Sequence, residues 1–556
     1  LCHIKHDSVL TQNQRLVMRV GLYKEEGVEY LSPYHPLVLA YYLYLAEAAA
    51  AEEAGRSFAQ LPKVTLDRLT PRGLLPFVYD ERHGFAHVQT VPHNAFWLKL
   101  VPREESSYDF VRKLIKEKLL EFKNAFSTLF TAHAASELIL NVVNGLDANE
   151  VLHGVVEYFK HVINAGDGKP TPIHINFYDE TLRFNAFDAF AESGDAAAMR
   201  RQLGLDKGAD KAIADAVIDA LRTRLTYSKF SHSDGSDSFA YAHITFVRDE
   251  GRVDRQFVRI KASLSGIAAD GLITGEASEN KGGAYYTAFG LQGVETEARP
   301  HLQLAELYGS LWMPARQSGA TYTGSNAVAI AVNADFQKLL QRCYGSSIWT
   351  TLIDPRVTLD FFDTQDGVVL IHYSDQYTNS ASYDAVTVTR ELDLYRKVLE
   401  SSTGEARSTL INEFNAFNGQ WLLHMLTAPS KERKGIEGVI GAYKFATSLV
   451  LKADVTWVPF SVAELIRVAA NSGLKLSGSE FSRVVQGYRS GVISDDVLLV
   501  GLKDQRLYLL PVEVKAGARP DYDKAEKQAR ELKRYLTADL LAPRTLAGKL
   551  YRALFV

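Results

Sequence analysis

The sequence predicts a multidomain α/β protein, and three observations carry that expectation. Apolar positions keep helical spacing through most of residues 1–165. Short β-type runs alternate with helical stretches over 166–390. Beyond Trp457 the chain reads helix, strand, turn, strand, helix. Mixed elements of this kind pack into layered α/β or α+β domains. The expected divisions are a mainly helical region over 1–165, a central mixed α/β domain over 166–390, a helical connector over 391–456 and a C-terminal α/β domain over 457–556. A length of 556 residues fits that many units.

Each element has a local reason. Leu37–Glu53 and Tyr108–Thr131 show the apolar stripe of amphipathic helices. The second puts Lys113, Lys116, Lys118 and Lys123 on its polar side, which reads as a solvated face before it reads as a binding face. Asn144–Asn164 continues the helical spacing up to a breaker cluster, Ala165-Gly-Asp-Gly-Lys-Pro170. Strand-type runs follow at Ile173–Tyr178, Ala242–Val247, Phe257–Ala262, Ala327–Val332, Val357–Phe362, Val368–Tyr373 and Ala385–Val388. Asp210–Leu225 and Ala334–Cys343 are helical between them. Arg248-Asp-Glu-Gly-Arg252 reads as a turn joining two antiparallel strands. Glu391 to about Ala453 is helical again, and no repeat of fixed period is present.

Composition narrows the class. Hydrophobic residues at 46% and charged residues at 23% match a folded, water-facing protein. A net charge of −4 carries no general nucleic-acid signature, so any DNA contact needs a local basic region. Cys2 and Cys343 are too few for a disulfide framework or a zinc site and read as reduced thiols of a cytoplasmic protein. Pro36–Ala51 is too short and too polar to span a bilayer. His83, His87 and His93 lack a carboxylate cage and argue against zinc. His372 and Asp375 close a strand; they could form a catalytic pair, but read first as polar groups fixing a loop. The chain starts Leu1-Cys-His-Ile and ends on an apolar run, Leu550-Tyr-Arg-Ala-Leu-Phe-Val556, which reads as a piece of a longer polypeptide.

The chemistry lies in Ser494-Asp-Asp-Val-Leu-Leu-Val-Gly-Leu-Lys-Asp-Gln-Arg-Leu-Tyr-Leu-Leu-Pro-Val-Glu-Val-Lys-Ala-Gly517. An acid opens an apolar run, a polar turn follows at Lys503–Arg506, and a second apolar run ends in Glu-Val-Lys. Strand alternation puts Glu513 and Lys515 on one face, with Asp496 at the start of the partner strand. Charges gathered at one end of an apolar hairpin are costly unless they bind something. Asp496 and Glu513 can ligate Mg²⁺ or Mn²⁺, while Lys515 orients or deprotonates a water and counters phosphate charge. Phosphodiester hydrolysis needs that set. Asp495 competes with Asp496, which directly abuts the strand. The plainer alternative is a solvated hairpin end with a Glu–Lys pair.

Asp, a spacer of about sixteen residues and Glu-x-Lys resemble the PD-(D/E)XK nuclease superfamily over the last hundred residues or so. The resemblance implies a restriction-endonuclease-like α/β fold for 457–556. It implies a further metal-binding acid on a preceding helix, where Glu464 fits equally well as an exposed residue. It also draws attention to Gln528 on the following helix, Lys524–Leu536, although the spacing from Gln528 to Tyr535 is longer than the commonest motif. Residues 513–556 carry ten cations against six acids, a net +4, which suits a DNA backbone. Lys524, Lys527, Arg530, Lys533 and Arg534 are the candidate DNA contacts; Arg467 and Lys475 read first as surface residues.

Five further segments resemble the DptH (DndH) family of DNA phosphorothioation-dependent restriction proteins. They are Ser32-Pro-Tyr-His-Pro-Leu37, Trp349–Pro355, Ile371-His-Tyr-Ser-Asp-Gln-Tyr-Thr378, Tyr383-Asp-Ala-Val-Thr-Val-Thr389 and Trp457-Val-Pro-Phe-Ser461, in that order ahead of the Pro-Val-Glu-Val-Lys strand. That resemblance implies an antiphage restriction system with DptF- and DptG-type partners, double-stranded DNA as substrate and an ATPase module of the FtsK/HerA type. The chain departs from it in lacking Gly-x-x-x-x-Gly-Lys-Ser/Thr: Gly166-Asp-Gly-Lys-Pro170 and Leu546-Ala-Gly-Lys-Leu550 both lack the hydroxyl residue. No nucleotide site is therefore expected here. A Mg²⁺-dependent DNA endonuclease is the leading reading. A non-catalytic DNA-binding scaffold and part of an ATP-driven translocase are the alternatives.

Overall fold

The computed structural model describes residues 8–36, 77–78, 86–91, 94–102, 110–130, 136–144, 147–166, 169–179, 182–206, 210–231, 238–248, 255–259, 274–279, 285–290, 321–322, 326–332, 334–353, 362, 365, 367–374, 385–393, 430–450, 454–462, 481–482, 493–494, 496–504, 506–515, 521–534 and 536–537, with a few positions between 38 and 46. It is a mixed α/β structure. Among the described residues no helix is long and apolar enough to cross a membrane.

The centre is a seven-stranded sheet built from β1 (Leu138–Val143), β2 (Ile173–Asp179), β3 (Leu225–Ser231), β4 (Ala242–Val247), β5 (Ser347–Leu352), β6 (Val369–Ser374) and β7 (Ala385–Thr389). The spatial order is β6-β7-β5-β4-β1-β2-β3. Strands β1 to β5 are parallel to one another, while β7 runs antiparallel to both β5 and β6. Helices cover both faces, as parallel strands require. On one face α1 (Val111–Ala125), α2 (Ala148–Ala165) and α3 (Lys211–Arg224) share a core with Leu140, Val142, Ile175, Phe177, Phe246 and Trp349. On the other, α4 (Ala334–Ser346) packs Leu340 and Cys343 with Val143, Val247, Leu352 and Val388. Asp147 caps α2 and Asp210 caps α3, each accepting an amide proton from the first turn. Cys343 is a buried free thiol.

Close approach of α1 and α2 rests on Gly154. A Cβ there would lie 2.8 Å from the Ile115 Cβ and 2.9 Å from the Arg112 carbonyl. Only glycine lets those helix surfaces meet without a shift.

Several expectations are corrected. Of the helix expected over Leu37–Glu53, the described positions between 38 and 46 are helical, but the rest of the described chain between Leu22 and Pro102, read as mainly helical, forms a five-stranded antiparallel sheet. Its first hairpin turns at Glu26 and Gly27, with φ of 49° and 84°. Positive φ at both central positions matches the twist of a two-residue hairpin. The first strand of the central sheet, Leu138–Val143, lies within the stretch read as helical, and the breaker cluster before Pro170 joins α2 to β2 inside that sheet. Arg248–Arg252 does not close a hairpin. β4 belongs to the central sheet, whereas Arg255–Arg259 pairs with Asn326–Val332 in a separate four-stranded sheet. Val357–Phe361 lies outside the described residues.

Lys118 is not on a solvated face. Its side chain is fully buried, with Nζ donating to Glu121 Oε2 at 2.7 Å and to His372 Nδ1. His372 is thus a buried tie between β6 and α1; Asp375 lies outside the described residues.

The same helix carries a pH-dependent term. Burial, with Glu121 adding, pushes the Glu117 carboxyl up to about 7. An acid that holds its proton more tightly folded than unfolded loses stability as pH rises from the ordinary carboxylate range through 7. Glu117→Gln is expected to raise the unfolding midpoint at about pH 8 and leave it nearly unchanged at about pH 4. Equal shifts at the two pH values would contradict this account of Glu117.

Candidate active site

The C-terminal unit contains a three-stranded antiparallel sheet, β8 (Thr456–Ser461), β9 (Val497–Lys503) and β10 (Arg506–Val512), with β9 in the middle. Val497–Val500 is buried throughout, as a central strand's apolar run should be, while β10 alternates exposed and half-buried positions. The turn between them takes a positive φ, 48°, at Asp504. Lys503 pairs with Asp454, pinning the turn to the start of β8. Both prolines, Pro459 and Pro511, fall on the edge strands, where a missing N–H breaks no central ladder. Helix α5 (Ser430–Val450) packs on β8 and β9, and α6 (Tyr522–Arg534) packs on β10.

That frame gathers the candidate residues. Asp496 precedes β9 and is buried, at 7% exposure. Its Oδ2 accepts the Val514 amide proton at 2.5 Å, and its own carbonyl accepts from Val462 N–H at 2.9 Å. Those two bonds tie Asp496 to the ends of β8 and β10 together. The ladder stops at Val512, so Glu513, Val514 and Lys515 form an extension beyond the paired strand rather than part of it. Glu513 and Lys515 nonetheless meet: Lys515 Nζ donates to Glu513 Oε1. A second donation runs to Gln528 Oε1 at 2.8 Å.

Gln528 is the residue that sequence spacing undervalued. It lies on α6, thirteen positions after Lys515, and is buried beside that lysine. The available signal was helical period: Gln528 and Leu532 stand four apart, and both turn inward. Lys524, Lys527, Arg530, Lys533 and Arg534 are exposed on the same helix. Arg530 pairs with Glu526 and Arg534 with Glu531, both on the surface. Glu464, Arg467, Lys475, Asp495 and Tyr535 lie outside the described residues.

The donor set fits a hard divalent cation in part. Two carboxylates are offered, Asp496 bonded to the Val514 amide and Glu513 immediately before Val514, and Mg²⁺ is commonly held by one or two carboxylates with water and phosphate completing the shell. Among the described residues no group of three or more metal-binding side chains assembles. Asp496 brings a buried carboxylate whose orientation the Val514 amide sets. Lys515, anchored by two acceptors and still partly exposed, has a third N–H for water or phosphate.

Comparison of the chain with known protein families, curated proteins and solved structures gives no match.

Proposed function

We propose that residues 457–556 form a metal-dependent nuclease unit that hydrolyses phosphodiester bonds in double-stranded DNA. The observation that carries this reading is Lys515, held between Glu513 and Gln528 and next in sequence to Val514, whose amide donates to the buried Asp496 carboxylate. An acid pair next to an oriented ammonium is what phosphodiester hydrolysis asks of side chains.

Asp496 and Glu513 would hold Mg²⁺ or Mn²⁺, with Glu464 as a third acid. When bound, the metal supplies Lewis-acid activation of water and charge neutralisation at the phosphate. Glu513 holds the lysine's charge close to the acids. Gln528 fixes the direction of Nζ through a neutral amide and so restricts the lysine without adding charge. Lys515 faces the phosphate or the attacking water with its remaining N–H. The exposed cations of α6 lie on the helix that supplies Gln528, so the residues for backbone contact and the lysine's amide anchor share one rigid element.

The order of these motifs, with the five segments named above, supports a place in a DNA phosphorothioation-dependent antiphage restriction system of the DptH type. DptF- and DptG-type proteins would be the partners, in the cytoplasm. The direct test is incubation of supercoiled plasmid with the full chain. Nicking or linearisation in Mg²⁺ or Mn²⁺ that EDTA stops supports the nuclease reading. Cleavage at an equal rate in EDTA would remove the metal from it.

DNA binding is expected to be weak, without sequence preference and steeply salt-dependent. Each phosphate neutralised by α6 releases counterions. Reversing Lys527 and Arg530 together to Glu is expected to lower affinity and flatten the dependence of log affinity on log salt by about two. Anisotropy measured on duplexes of two unrelated sequences decides it. Affinity that is unchanged between low and physiological salt argues against the basic face.

A further inference from the structure

Glu513 already has a cation of its own. Its side chain is only 9% exposed, and a carboxylate so poorly hydrated is costly unless a charge or several donors meet it. Lys515 supplies the charge: Nζ stands against Glu513 Oε1 from two positions further along the same extension. The lysine side chain is itself 24% exposed, so water screens the pair only in part. Asp496 is met differently. Its Oδ2 accepts the Val514 amide proton, from a neutral donor that carries no net positive charge.

This asymmetry decides what loading the site requires. A divalent ion held by Glu513 sets a second, larger positive charge within a few ångströms of the ammonium. In a partly dehydrated pocket the two cations repel strongly, so the lysine has to leave the carboxylate. Its other anchor is where it can stay. Nζ also donates to Gln528 Oε1 at 2.8 Å, and Gln528 is buried on α6, a different element from the one that carries Glu513 and Lys515. An amide oxygen accepts from an ammonium and adds no net charge to the site.

On the reading of Asp496 and Glu513 as metal ligands, we propose that Lys515 is an exchangeable counter-ion that locks the site. Its ammonium neutralises Glu513, gives way there when the site is loaded, and then rests on Gln528 alone. The ion pair thereby lowers the affinity for metal. It also ties two events together, because the lysine is free to face phosphate only once Glu513 has taken up a metal ion.

Calorimetric titration of the full chain with Mn²⁺, without DNA, tests the lock apart from cleavage. Lys515→Met keeps an unbranched stem and removes the charge. It is expected to bind Mn²⁺ more tightly than the unaltered chain, by about tenfold or more. Gln528→Leu is expected to bind Mn²⁺ about threefold more weakly or worse, because the displaced ammonium loses its second acceptor. Equal or weaker Mn²⁺ binding by a folded Lys515→Met protein overturns the lock and leaves the metal reading standing. Adding Lys515→Met to Glu513→Gln is expected to gain nothing. A gain there overturns the lock too, since the lysine would then act by its field and not through Glu513. Absence of Mn²⁺ binding in the unaltered chain and in Lys515→Met alike overturns the metal reading and the lock with it. If Lys515→Met does not fold, Gln528→Leu decides, and an unchanged Mn²⁺ affinity overturns the lock.

Discussion

Substituting Lys515 by Ala is expected to leave metal binding in place and to slow DNA cleavage by about a hundredfold to ten-thousandfold, the usual range for removing a positioned proton-transfer group. Glu513→Gln and Asp496→Asn are expected to lose both metal and cleavage. Asparagine is the better replacement at 496 because Asp496 is buried and accepts the Val514 amide proton. Alanine would leave that amide without its acceptor, at a cost of about 1–3 kcal/mol, and would mix a folding defect with the chemical one. Gln528→Ala is expected to fall between these effects, since it frees the lysine's direction but keeps its charge. Mn²⁺ titration beside single-turnover cleavage separates the two classes. If Lys515→Ala lost metal binding as fully as Asp496→Asn, the division of roles between them would be wrong.

The largest effect on stability is expected at Phe122. Its ring is fully buried, 4.9 Å from Trp349 of β5 in edge-on contact and 4.5 Å from Phe126. This aromatic group bolts α1 onto the sheet from a strand more than two hundred positions away in sequence. Phe122→Ala removes that wedge and leaves a cavity, costing about 3–5 kcal/mol. Lys113→Ala on the exposed side of the same helix should stay within about 0.5 kcal/mol. Denaturant melts of the two variants compare them directly, and a Phe122→Ala cost below about 1 kcal/mol would mean that α1 is not held in this way.

The parts of the fold legible in sequence share one physical property: their local pattern agrees with their tertiary role. The hairpin from Val497 to Val512 is two apolar runs around a polar turn, and β9 is buried in just that run. Helices α1, α2, α3 and α4 fall within or close to their apolar stripes. Strands β1 and β5 were hidden because strands buried on both faces do not alternate; Leu138-Ile-Leu-Asn-Val-Val143 looks the same on helical spacing. The sheet over Leu22–Pro102 was hidden by weak, charged strands such as Leu22–Glu25, which joins the sheet through Val28–Leu31 and its distant partner Asn94–Pro102. Its one local clue was Glu26-Gly27 between Tyr23 and Tyr30. Lys118 was misread because nothing in a helix sequence announces that a lysine will turn inward to His372 and a half-buried carboxylate. In the candidate site Asp496, Glu513 and Lys515 were legible from motif order, whereas Gln528 needed the packing of α6 on β10 to bring it to the lysine.

Restriction of phage in cells tests the central claim most directly, because partners that gate cleavage are then present. Cells carrying the full-length protein with its partner proteins are compared with cells carrying the Lys515→Ala form at matched expression. Loss of restriction in the variant is the result expected of a nuclease whose lysine acts on water or phosphate. Restriction equal to that of the unaltered protein would contradict the nuclease reading and leave the C-terminal unit as a DNA-binding scaffold.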